Sequence, residues 1–133
     1  MNVTLNEKLQ EYTKSFVHRW GEICELGEEN NFNILIILQP ILGFGTKELT
    51  LEESVLLSND SLKNKNDYYE EYQKSLIELN ESCEYVYDFT NIFDNKKETI
   101  YMDLAHTGDY GNSIIAEKMY EKILPIIIED IQK

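Results

Sequence analysis

The sequence is poor in cysteine, in basic residues and in long apolar runs. Cysteine occurs twice, as Cys24 and Cys83. Neither belongs to a C-x-x-C pair, and a zinc site needs more ligands at closer spacing. The expectation is two buried free thiols, with a single disulfide left open. Lys and Arg together number 12 against 25 Asp plus Glu, a net charge of −13. Phosphate binding rests on Lys and Arg, so this balance argues against a nucleic-acid partner. It argues equally against docking on an anionic membrane. The longest apolar runs, Ile34–Leu38 and Ile123–Ile128, fall far short of the roughly 20 residues of a membrane span. Met1 to Gln10 is polar and has no apolar core of a signal peptide. The localisation expected by default is cytoplasmic.

What remains is the composition of a folding chain. Hydrophobic residues make up 42% and charged residues 28%, with nine Tyr and five Phe to build a core. A length of 133 residues fits a single α/β domain spanning 1–133. No internal repeat, low-complexity tract or linker interrupts it.

Thr4 and Glu7 spell a capping box, and Leu5, Leu9, Tyr12, Phe16, Trp20, Ile23 and Leu26 follow at helical spacing. Gly27 and Asn30-Asn31 end that helix. The run from Phe32 to Pro40 is nearly all apolar and reads as a strand buried on both faces. Gly43-Phe-Gly45 is a loop, and Thr50 to Glu53 is a second capping box. A long helix is expected over 61–80, with Tyr68, Tyr69, Tyr72, Leu76 and Leu79 inward. Glu84 to Phe89 alternates as a second strand, Ile92-Phe93 resembles a helical turn, and Ile100 to Met102 is extended. The last helix is expected from about Tyr110 to Ile131, kinked or broken at Pro125.

Alternation of helix and strand predicts an α/β class with two main parallel strands flanked by helices. Two parallel strands make a poor sheet, and something must cover their faces and extend their edges.

Three stretches, taken in order, resemble the C-terminal half of SGNH/GDSL-type hydrolases. They are Ile37-Leu-Gln39-Pro40 with Lys47 to Glu53, then Tyr87 to Phe93, then Tyr101-Met-Asp103-Leu-Ala-His106 leading to Gly111-Asn112 and an amphipathic helix. The resemblance covers about residues 5 to 128. It implies a partial three-layer flavodoxin-like fold and ester hydrolysis by a Ser-His-Asp mechanism. The catalytic candidates are His106 as base and Asp103 as the group that orients it. Three residues apart on a tight loop, the two can meet. The imidazole would take a serine's proton and return it to the leaving alcohol. Gly111-Asn112 would shape the turn and helix start. No cofactor or metal is implied.

The sequence departs from the family's pattern at the other positions. No Gly-Asp-Ser block occurs. Asn59 follows Ser58 rather than a glycine block, and Gly43 and Gly45 follow the wrong strand, so no oxyanion role is carried to them. The Asp/His block is present, and the nucleophile and oxyanion blocks are not. The chain by itself is therefore expected to be inactive. Activity would need a separate chain supplying the serine half and an acyl-ester substrate. The alternative is a non-catalytic binding or assembly module that completes its sheet as a homo-oligomer. A third reading pairs Asp103 and His106 with Cys83 or Ser113, although neither sits in a nucleophile elbow. His18 reads as an exposed helix residue. Asp88, Asp94, Asp103 and Asp109 lack the spacing of a calcium loop.

Overall fold

The computed structural model describes residues 4–133 as a mixed α/β chain. The elements, in order, are α1 (Leu5–Glu29), β1 (Leu35–Leu38), α2 (Leu51–Ser58), α3 (Lys65–Leu79), β2 (Tyr85–Asp88) and α4 (Asp109–Gln132). The chain folds into two compact units. One comprises the chain up to Gln39 with Ser61–Thr90, and the other Pro40–Asp60 with Asn91–Lys133.

The first unit holds the sheet. β1 and β2 pair in parallel, with Leu35 opposite Tyr85 and Leu38 opposite Asp88. β1 is buried unevenly. Ile36 and Leu38 are fully inside, while Leu35 and Ile37 are half-buried. The expectation of a strand covered on both faces is corrected to one fully buried face. Ile36, Leu38, Leu76, Leu79, Cys24 and Cys83 form the core of this unit.

The packed face of α1 differs from the one its apolar spacing predicts. Gly21, Cys24 and Gly27 are the buried positions. Tyr12 and Leu26 of the predicted stripe are 54% and 53% exposed, and Leu5, Trp20 and Ile23 also face outward. Small residues explain the rotation, because they let the helix backbone approach its neighbours closely. A Cβ on Gly27 would lie 2.8 Å from both the Phe32 carbonyl oxygen and Ile34 Cγ1. The helix stops where Asn31 turns left-handed, at φ 58°, and the Phe32 N–H closes on the Gly27 carbonyl at 3.0 Å.

Cys24 and Cys83 are joined by a disulfide across 59 residues. The expectation of free thiols is thereby corrected. The two lie far apart in sequence, but α1 and the turn before β2 bring their Cα atoms to 5.4 Å, within bonding reach. Such bonds persist in oxidising surroundings. The helix expected from Ser61 begins instead at Lys65, because Asn64 adopts a left-handed φ of 62° that no helix continues through.

The second unit is built around Leu42, Phe93, Ile100, Tyr101 and Ile114. Both predicted capping boxes form, Thr4 with Glu7 and Thr50 with Glu53. α4 runs as one helix from Asp109 to Gln132 with Pro125 inside it. Of the kink or break expected at Pro125, the break is absent. The ring removes one backbone donor, and the helix runs on past it. No helix among the described residues is long and apolar enough to cross a membrane.

Candidate active site

The predicted Asp/His block lies at the tip of a small hairpin in the second unit. Its base is closed by backbone bonds. Tyr101 and Thr107 form an antiparallel bridge, the Gly108 N–H donates to Ile100 O at 2.9 Å, and the Met102 N–H donates to His106 O at 2.9 Å. Ile100 and Tyr101 are buried, and the Tyr101 ring meets Phe93 edge-on at 5.7 Å. The hairpin therefore has a core-anchored base and a solvent-facing tip.

At the tip, Asp103 binds with both carboxylate oxygens. Oδ1 accepts the backbone N–H groups of Ala105 at 2.9 Å and His106 at 2.8 Å. Oδ2 lies 2.8 Å from His106 Nδ1. The two backbone bonds fix the carboxylate, and the fixed carboxylate aims the ring. An ionised carboxylate only accepts, so Nδ1 carries a proton, and in the neutral ring Nε2 then holds the lone pair. That is the tautomer a general base needs. Among the described residues nothing else bonds the ring. The His106 side chain is 81% exposed and that of Asp103 is 56% exposed. The Ala105 and His106 backbone donors, followed by the imidazole, hold the Asp103 carboxyl down at about 2.

Two groups of neighbours hold the hairpin in place. The Leu42 N–H donates to Leu104 O at 2.9 Å, tying the segment after Pro40 to the tip. On the other side α4 presses close at Gly111, where a Cβ would lie 2.7 Å from Thr107 Cβ and 2.8 Å from Ile100 Cγ2. The Thr107 hydroxyl donates to Asn112 Oδ1 at 2.6 Å. Gly111 and Asn112 thus sit in the first turn of α4, against the hairpin base.

Glu53 is the residue whose role the sequence did not disclose. Its carboxylate is fully buried. Oε2 accepts the Thr50 N–H at 3.0 Å, as a capping box requires, and the Lys47 ammonium at 2.7 Å. Oε1 reaches 47 and 48 residues onward to the N–H groups of Ile100 at 2.8 Å and Tyr101 at 3.2 Å. Burial pushes this carboxyl up. The Lys47 ammonium and the backbone donors of Ile100, Thr50 and Tyr101 outweigh it, so the net direction is down. The capping-box spelling marks one oxygen of Glu53 in the sequence. Nothing in the local pattern marks the other, because its partners are backbone groups nearly fifty residues away.

The remaining candidates are engaged elsewhere. Cys83 has no free thiol, and the Ser113 hydroxyl donates to Tyr110 O at 2.7 Å. His18 pairs with Glu22 on the exposed side of α1 at 3.4 Å. Asp88 accepts from Thr90 and Gln73, and Asp94 from Thr46. Among the described residues, no group of three His, Cys, Asp or Glu side chains could hold a metal ion. Compared with protein families, curated proteins and solved structures, the chain matches none.

Proposed function

We propose that the chain carries the base and orienting residues of an SGNH-type ester hydrolase, in a partial three-layer flavodoxin-like arrangement. In this reading His106 is the general base and Asp103 fixes its tautomer and stabilises the imidazolium. The observation that carries it is the double use of the Asp103 carboxylate, one oxygen pinned by two backbone N–H groups and the other 2.8 Å from Nδ1. Nε2 is left open to a hydroxyl approaching from solvent.

The nucleophilic serine and the oxyanion donors come from outside these 133 residues. The serine Oγ attacks the ester carbonyl carbon while His106 Nε2 takes its proton. The tetrahedral intermediate expels the alcohol, which receives that proton, and water then releases the acid by the same steps in reverse order. The 133-residue chain alone is expected to give no burst with p-nitrophenyl acetate, and His106→Ala to change nothing. A serine-dependent burst from the pure chain would contradict the division of the site between this chain and another segment.

One observation favours a second reading, in which the chain is a non-catalytic module assembled with copies of itself. The sheet has two strands among the described residues, and α1 exposes Tyr12, Trp20, Ile23 and Leu26 along one side. Apolar faces of this kind are covered in symmetric pairs. Light scattering decides it: a dimer supports this reading, and a monomer at high concentration excludes it.

A further inference from the structure

α1 carries two faces, and the first unit buries one of them. Gly21, Cys24 and Gly27 pack inward. Beside them runs a second stripe, Leu9, Tyr12, Phe16, Arg19, Ile23 and Leu26, whose steps alternate between three and four residues. That is the spacing of a coiled-coil seam, which faces a partner helix along its length. The fold leaves this seam open. Tyr12 is 54% exposed, Ile23 38% and Leu26 53%. A half-open groove of about 540 Å³ follows it, with Tyr72 of α3 in its wall and the Tyr72 ring 4.8 Å from that of Phe16. An apolar face of this kind marks an interaction site.

The charges along α1 select the occupant. The part of the helix before Val17 holds two Lys and two Glu, and the part after it holds Arg19 against Glu22, Glu25, Glu28 and Glu29. A parallel copy would set Arg19 on Arg19 inside the seam and bring the four glutamates together, and both juxtapositions repel. A reversed copy does the opposite. It sets Leu9 on Leu26, Tyr12 on Ile23, and the Phe16 ring on the Arg19 guanidinium, a cation–π pair. It also brings Lys8 beside Glu29 at the edge of the seam. A two-fold axis makes each of these pairs twice. The stripe therefore complements itself when reversed, which is what a symmetric interface demands of a single surface.

We propose that α1 docks antiparallel on α1 of a second copy of this chain, in the register Leu9–Leu26, Tyr12–Ile23 and Phe16–Arg19. The proposal rests on the self-assembly reading given above and adds its surface, direction and register.

The test is sedimentation equilibrium of the whole chain and of its variants, with circular dichroism as the check on folding. The native chain is expected to be a dimer. Ile23→Asp and, separately, Leu26→Asp change exposed positions and should weaken the dimer by roughly a hundredfold or more, since each acts twice per interface. Lys8→Glu sets two acids against each other at both edges and should weaken it roughly tenfold. Lys8→Glu combined with Glu29→Lys restores the opposite charges and should recover native affinity. A parallel pair keeps Lys8 and Glu29 at opposite ends and gives no such rescue. A dimer that survives both aspartate variants, folded, overturns the proposal and leaves self-assembly standing through another surface. Loss of the dimer in those variants without rescue by the charge exchange overturns the antiparallel register. A monomer at high concentration overturns the proposal and the self-assembly reading together.

Discussion

Glu53 Oε1 accepts the Ile100 N–H at 2.8 Å, so the first turn of α2 holds the segment that leads into the Asp103–His106 hairpin. The bond spans 47 residues, and the carboxylate that makes it is fully buried. Glu53→Ala would leave the buried Lys47 ammonium without its counter-charge and remove the carboxylate that accepts the Ile100 and Tyr101 N–H groups. Breaking one side of a buried pair costs about 3–5 kcal/mol. Denaturant unfolding should register that loss, and amide exchange at Ile100 and Tyr101 should accelerate. Glu53→Gln keeps one acceptor and should fall between Ala and the native chain.

The Gly111 contact predicts a local lesion. An added methyl group at this position meets Thr107 Cβ at 2.7 Å and Ile100 Cγ2 at 2.8 Å. Gly111→Ala should therefore cost about 1–3 kcal/mol by overpacking, despite the better helix propensity of alanine. Thermal unfolding measures the cost, and the shift of the Thr107 amide shows whether the hairpin base is what moves.

The disulfide gives a larger and more general effect. Cys24 and Cys83 close a loop of 59 residues, and a bond of that span stabilises by about 4 kcal/mol on the chain-entropy account. Reduction, or Cys24→Ser with Cys83→Ser, should lower the melting temperature of the first unit. Equal melting curves with and without reductant would contradict the pairing.

Much of the local structure was legible in the sequence, because its causes are local. Thr4 with Glu7, Thr50 with Glu53, and Asn30-Asn31 each act within four residues, and each does what its spacing implies. The meeting of Asp103 and His106 is likewise fixed within one turn of chain. The missed features depend on distant partners. The seven apolar positions of α1 give no hint that Gly21, Cys24 and Gly27 form the packed side, since that choice belongs to Ile34 and Cys83. The cysteines, read one at a time, look like free thiols. Glu53 looks like a cap and is also the anchor of a segment nearly fifty residues away.

The acidity of Asp103 separates its two kinds of partner. Its folded value is about 2 against an ordinary 3.8, so the carboxylate stabilises the hairpin tip in full above the ordinary value. That contribution fades as pH falls from there through about 2. The Ala105 and His106 backbone donors are the leading causes, ahead of the imidazole. His106→Ala should therefore leave the carboxyl well below 3.8 in a carbon-detected NMR titration. A return to the ordinary value would make the imidazole the main cause and the backbone bonds incidental.

The central claim is that His106, held by Asp103, is the base for a serine this chain does not provide. It is tested most directly by co-expressing the chain with the polypeptide encoded upstream of it and treating the pair with a fluorophosphonate. The account predicts labelling of one serine in the added polypeptide, slowed on the order of 10⁴-fold by His106→Ala in this chain. Labelling at the same rate with and without His106, or no labelled serine at all, would contradict it.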